Sequence, residues 1–272
     1  MADGVEEALF RSLEAGEFQI PPMSDVALRL TELASDPDAS ASSIVELVRR
    51  DPGLTSTLLR YANSAASSAR LEIVSVHQAV VHLGISVVSR VALAASVRAG
   101  VFDVPAYSGL SKRHWTRSAA SALASGRIAR LLAQNVEVAF LCGLLWQAGS
   151  MLALRAIGEL RSGARRPAEE QAEAIATDMN ERFRRAAVEA WSLPPVVARA
   201  LGACADVDVP TVEADIASLA SELAKLVVDD DAIRSEELLA CPAAERLNLY
   251  PDQVERLVAD VPDLRVELES MP

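Results

Sequence analysis

The sequence predicts an all-α fold, and three observations carry that prediction. Alanine, leucine and valine dominate a chain that is 51% hydrophobic. Aromatics are only 4%, so the composition favours helix formers and lacks the enrichment that marks strands. The third is the stretch from Val138 to Leu154, uncharged throughout, with leucine on every side and no alternation. Such a run reads as a helix buried all round, and Phe140–Leu154 is expected to form one central helix. It sits at the lower edge of the roughly 20 residues that span a bilayer. Gly143, Gln147, Gly149 and Ser150 dilute it, and neither basic flanks nor a second apolar segment support a membrane reading.

At 272 residues the chain can bury a sizeable core as one large domain or two modest ones. Its formal charge of −12 argues against nucleic acid and against an anionic membrane surface, both of which need clustered cations. Cys142, Cys204 and Cys241 are odd in number, far apart and outside any CxxC. They read as reduced thiols of a cytoplasmic protein, although the sequence leaves a pairing open. Met1 leads straight into Asp3, Glu6 and Glu7, which is not the pattern of a signal peptide.

In chain order, a first helix is expected from about Val5 to Ala15, stopped by Gly16. Pro21 and Pro22 hold the next segment extended. Ser24 can cap a helix with Val26, Leu30 and Leu33 on one face, ended by Asp36-Pro37. Ser43 and Glu46 form a capping-box pattern, as do Ser75 and Gln78. Asp51-Pro52 combines an acidic N-cap with proline at the first helical position. Gly84 ends one helix and Ser86 can cap the next. Gly100–Gly109 is the expected internal boundary. A long helix then runs from about Ser111 to Ala133, its inward face (Trp115, Ala119, Ala122, Gly126, Ala129) mostly small. After the central helix come a basic loop, a helix from about Ala168 to Trp191, and another to about Cys204. An amphipathic helix over Asp215–Val228 and a charged tail from Pro251 complete the chain. No period of about 20 to 50 residues recurs, which excludes a solenoid.

Several blocks carry a family resemblance. They are Leu28–Pro37, Asp51-Pro-Gly-Leu-Thr-Ser-Thr-Leu-Leu-Arg-Tyr-Ala-Asn-Ser64, Val74–Gly84, Gly143-Leu-Leu145 and Trp191-Ser-Leu-Pro194. In these the chain resembles the HDOD (HD-related output domain) family of bacterial signalling proteins, from about Phe18 to Val228. The resemblance implies two packed helical bundles, the C-terminal one like the HD phosphohydrolase fold. It implies a division into residues 1–102, an N-terminal helical subdomain; 103–228, a degenerate HD-like subdomain; and 229–272, a helical tail.

An HD hydrolase needs histidines and aspartates that hold divalent metal and activate water against a phosphoester. Aligned by these motifs, Arg117 stands where the first histidine would be, and Trp146-Gln147 where the His-Asp pair would be. Asn180 replaces a further histidine, and Cys204-Ala205 replaces a histidine pair. None of His77, His82 and His114 falls at a motif position. His77 and His82 are five apart, about 140° around a helix, and cannot share a metal. The dinucleotide, P-loop, GxSxG and HExxH signatures are all missing. Asp229-Asp-Asp231 lacks the spacing of a calcium loop and reads as a solvated helix end. The expectation is no metal, no cofactor and no catalysis.

Two readings of these residues stay open. Trp146, Gln147, Asn180 and Cys204 either pack an interior or line a retained ligand pocket, with Arg117 in an ion pair, on a bound anion or simply facing solvent. Cys142 reads as a core thiol, and His77 and His82 as one surface and one half-buried residue. Arg161, Arg165 and Arg166, with Arg182, Arg184 and Arg185, are either a solvated face or a docking site for an acidic partner or cyclic dinucleotide. The expected function is a non-catalytic bacterial signalling module that contacts a protein partner. The alternative is a sensor binding a nucleotide or cyclic dinucleotide in the vestigial pocket without hydrolysis. Self-association is left open.

Overall fold

Two separate apolar clusters organise the chain, and helices alone build them. The computed structural model describes residues 2–23, 25–35, 38, 40–65, 73–160, 166–202, 210–229 and 235–272. There is no strand among them. The smaller bundle comprises α2 (Asp25–Ser35), α3 (Ala41–Arg49), α4 (Pro52–Ala65), α5 (Val76–Leu83) and the first half of α6 (Ile85–Val101). Leu30, Ile44, Val48, Leu58, Ala62, Ala79 and Val88 fill its centre. The larger core is built on α7 (Ser108–Leu131), α8 (Val136–Leu145), α9 (Ala148–Glu159), α10 (Glu169–Asp178), α11 (Asn180–Trp191), α12 (Pro195–Ala200) and α13 (Val212–Val228). α1 (Ala2–Glu14) packs on α9 and α10, so the start of the chain joins this larger core. α14 (Ser235–Leu239), α15 (Pro242–Arg246), α16 (Pro251–Ala259) and α17 (Val261–Ser270) join it from the other end.

α6 is the wall that both bundles share. Val88, Val91 and Ala92 face the smaller cluster, and Leu93, Ala94, Val97 and Val101 the larger one. It turns from α5 by 118° at Gly84, whose φ of 81° is open to glycine and costly for other residues. Two contacts strap the bundles together. Trp191 Nε1, at the end of α11, donates to the Pro21 carbonyl between α1 and α2 (2.8 Å). α17 crosses the seam, with Glu267 paired to Arg127 of α7 and Ser270 beside Ser64 of α4 (3.4 Å).

Local chemistry explains most helix starts. Asp51 Oδ1 accepts from Leu54 N (3.0 Å) and Ser75 Oγ from Gln78 N (3.2 Å), as the sequence predicts. Two predicted caps are corrected. Ser40, not Ser43, caps α3 and accepts from Ser43 N (3.1 Å), because two serines three apart both suit the position and the helix starts at the earlier one. α6 begins at Ile85 directly after Gly84, so Ser86 lies inside it and caps nothing. Ser24 and Asp36-Pro37 lie outside the described residues, as do Cys204, Arg161, Arg165, Asp230 and Asp231. The first helix starts earlier than predicted, and the long helix spans Ser108–Leu131.

Two predicted helices are in fact pairs. The central stretch breaks at Trp146-Gln147 into α8 and α9, and the stretch before Trp191 breaks at Met179 into α10 and α11. Both breaks have a tertiary cause, given below. The stretch 136–159 is long and apolar enough to cross a membrane, but most of it is buried against neighbouring helices. Its contact with α7 is close: a Cβ on Gly143 would collide with the Ser125 hydroxyl and lie 2.7 Å from the Ser121 carbonyl. Ser121 and Ser125 make this approach; on the small face predicted for α7, Ala119, Ala122 and Ala129 are fully buried. His77 and His82 are both exposed, which corrects the half-buried expectation for one of them.

The motif block from Asp51 to Ser64 ends on a side chain that ties two segments together. Asn63 Nδ2 donates to the Leu59 and Ile73 carbonyls, and its Oδ1 accepts from Ile73 N, each at 2.8 Å. Asn63→Ala would leave part-buried backbone groups of Ile73 without partners. It should lower the unfolding free energy by about 2 kcal/mol in urea titration, with an unchanged m value. A loss below about 0.5 kcal/mol would show that the tie contributes little.

Candidate functional site

The site begins with the break in the buried helix. Residues 146–147 interrupt the α8–α9 hydrogen-bond ladder, so carbonyls at the end of α8 and amides at the start of α9 need partners away from water. Asn180, the first residue of α11, supplies one on each side. Its Nδ2 donates to the Trp146 carbonyl (3.3 Å), and its Oδ1 accepts from Ser150 N (3.0 Å). Arg184, one turn further along α11, donates from its terminal nitrogen to the same Trp146 carbonyl (3.0 Å) and from Nε to the Leu201 carbonyl (3.2 Å). Its guanidinium lies 4.3 Å from the centroid of the Trp146 ring.

This clamp requires α11 to approach α9 very closely. A Cβ on Gly149 would collide with the Asn180 carbonyl and lie 2.7 Å from Arg184 N. Met179 is where the chain turns to aim Asn180 across the break, which is why α10 and α11 are separate.

Beside the clamp, Gln147 Nε2 donates to Ser221 Oγ of α13 (3.2 Å). His114 of α7 is 4% exposed, and neither ring nitrogen has a hydrogen-bond partner among the described residues. Its Nε2 lies 3.7 Å from Glu173 Oε1 of α10. Burial pushes the His114 pKa below its ordinary 6.5; Glu173 and Gln147 oppose the shift, and Arg117 and Arg113 add to it. Glu173 also faces Arg113 (3.5 Å) and Arg117 (3.9 Å). The Arg117 side chain is 46% exposed, so the pair contributes little.

The structure therefore brings Trp146, Gln147 and Asn180 together and adds Arg184, which the sequence grouped with a surface cluster. Arg117 does not turn inward; His114, one turn before it, does. Helical phase carried that signal, because 114, 118, 121 and 125 form one buried stripe. Cys142 is fully buried with its thiol pKa pushed up by desolvation, as expected of a core thiol. Among the described members of the basic set, each has its own local contact. Arg166 donates to the Gly158 carbonyl (3.2 Å), Arg182 lies over Phe10 (4.6 Å), and Arg185 pairs with Glu181 (3.0 Å).

An HD-type metal would need several converging histidine and carboxylate donors. Among the described residues this site offers one imidazole, one carboxylate and two amides, those of Gln147 and Asn180. No three His, Cys, Asp or Glu side chains converge on a common point among the described residues. These residues do not fit the metal of a phosphohydrolase.

Two outcomes follow from this geometry. Gly149→Ala should cost about 2–3 kcal/mol in urea unfolding, because the obstacle is backbone and cannot swing away. Gly4→Ala in α1, with nothing within 4 Å of the added carbon, should be neutral or mildly stabilising. For His114 the folded pKa lies below the unfolded one, so the unfolded state binds more protons. Stability should fall as pH drops through about 6.5 and below. His114→Gln should flatten that loss in melting curves recorded from pH 8 to 5; an unchanged pH slope would refute it.

Comparison with known proteins fits this geometry. The chain superposes on an HDOD domain protein of unknown function from Geobacter sulfurreducens, with a TM-score of 0.71 at 19% identity over 97% of both chains. It superposes on a candidate phosphohydrolase from Shewanella amazonensis with a TM-score of 0.63, at 20% identity over 97% of this chain and 96% of the other. A candidate signal-transduction protein from Marinobacter aquaeolei gives 0.68 at 18% identity, covering 98% of this chain and 66% of that one. At these identities the likeness speaks for the fold. No curated protein matches the chain. The sequence profile of the HDOD domain matches residues 20–206, well over half the chain, and the protein therefore belongs to the HDOD domain family.

Proposed function

We propose that the chain is a non-catalytic, cytoplasmic signal-transduction module that acts by contact with a protein partner. One observation carries the reading: Asn180, which stands where an HD hydrolase would hold metal, is committed with its neighbour Arg184 to the broken backbone at Trp146, and Gln147 is bonded to Ser221. Asn180 and Arg184 are bound to the Trp146 carbonyl, and Arg184 covers the Trp146 ring. Neither indole nor amide replaces the missing carboxylate and imidazole as a ligand. Family membership supports a place in signalling, as does the name of the Marinobacter protein. The Shewanella protein named as a candidate phosphohydrolase has the same fold, and a fold alone does not bring its chemistry.

The buried imidazole of His114, beside Glu173 and Gln147 but without a well-formed hydrogen bond among the described residues, favours a second reading. In it the vestigial site takes a nucleotide without hydrolysing it, and the ligand supplies the missing hydrogen bond to His114.

Assays with magnesium, manganese, zinc and iron against nucleotides, cyclic dinucleotides and an aryl phosphodiester separate these readings from an enzyme. The expected result is no turnover above buffer with any metal. Turnover abolished by Gln147→Ala or His114→Ala would overturn the non-catalytic reading. Thermal shift with the same nucleotides tests the second: a shift lost in His114→Ala supports it, and unchanged melting with every nucleotide removes it.

A further inference from the structure

The seam between the bundles holds a groove of about 430 Å³. Its walls come from α4, α6 and the first turns of α7. Its size falls in the range of small-ligand pockets. Three cations line it: Arg60 of α4, Arg98 of α6 and Lys112 of α7. None of them pairs with a carboxylate among the described residues, in a chain whose formal charge is −12. Asp103 and Pro272, the last residue of the sequence, share the lining, so three cations face one side-chain carboxylate and one backbone carboxylate there.

The arrangement is shaped as well as charged. The Arg98 guanidinium lies 5.3 Å from the centroid of the buried Trp115 ring, which holds the planar fork in place and leaves its N–H edges open. Arg60 donates to Thr57 Oγ1 (3.1 Å), which steadies it beside the same wall. Ser108, the first residue of the 24-residue α7, also lines the groove, and no side chain caps that end.

We propose that this groove binds a small phosphate-bearing ligand, with the phosphate held by Arg60, Arg98 and Lys112. Arginine forks and lysine charge suit phosphate oxygens, and the acidic remainder of the protein repels long polyanions while tolerating a small one. Because the three cations come from both bundles, a ligand seated here cross-links them across the seam. This site shares no residue with the Trp146 clamp and stands independently of the function proposed above.

Titration calorimetry of the full chain at low salt, with inorganic pyrophosphate, adenosine 5′-monophosphate and guanosine 5′-monophosphate, tests the proposal. At least one probe should bind, with affinity falling as salt rises. Equal binding by pyrophosphate shows that phosphate alone is read; tighter nucleotide binding shows that the base contributes. Arg98→Gln and Lys112→Gln should each weaken binding by about tenfold, the loss of one charge-assisted hydrogen bond. Asp103→Asn should tighten it, because a repelling carboxylate is removed. Arg256→Gln, an exposed cation of α16 paired with Asp252, serves as the control and should leave binding unchanged. Melting curves establish that each variant is folded. The proposal is overturned if no probe binds more tightly than about 1 mM. Wild-type affinity in both Arg98→Gln and Lys112→Gln, or weaker binding in Asp103→Asn, overturns it equally.

Discussion

A carbonyl group with no helical partner, that of Trp146, sets the constraint from which the larger bundle is arranged. Inside a core, water does not satisfy a broken helix ladder, so side chains must. Asn180 and Arg184 do so from a single helix face, four residues apart. The clamp sits at the start of α11, just after the break at Met179, and its close approach excludes any side chain at position 149. It also draws an arginine into a half-buried place between an indole and two carbonyls, where desolvation lowers its pKa and Glu181 opposes the shift. Of these residues, Trp146 and Asn180 stand where the HD resemblance would put metal ligands, and they take part in a different set of bonds.

The sequence made the fold class legible, and the family too, because both rest on local or linear signals. Asp51 and Ser75 cap the helices they precede, since a cap is a contact across three residues. Ser40 and Ser43 offer the same signal twice, and linear reading picked the later one. The two helix breaks were illegible for a different reason. Neither Trp146-Gln147 nor Met179 contains a local breaker; the first break is bridged by Asn180 from another helix, and the second falls directly before that residue. The site was legible only in part. Trp146, Gln147 and Asn180 were found by position in a motif. His114 and Arg184 were not, because each sits beside residues of similar chemistry and only helical phase turns it inward.

The tail is attached by arginines rather than by apolar packing alone. Arg246 of α15 makes a forked contact with the buried carboxylate of Asp215 on α13, at 2.9 and 2.6 Å to one oxygen. Arg265 of α17 donates to the Val227 and Leu226 carbonyls (3.0 and 2.6 Å), satisfying the C-terminal end of α13. Such contacts are directional, so they fix the angle at which α15 and α17 leave the core. Together with Arg127 and Glu267 they place α17 over the seam.

The strap from Trp191 to Pro21 lies near one end of the chain, and the crossing of α17 lies near the other. Both span the two bundles, and α6 is their common wall. Tension applied at either flank of the molecule is therefore delivered to the seam instead of being absorbed by a loop. Mechanically the protein is a clasp with a fastening at each end, the Trp191–Pro21 hydrogen bond at one and the Ser270–Ser64 contact of α17 with α4 at the other.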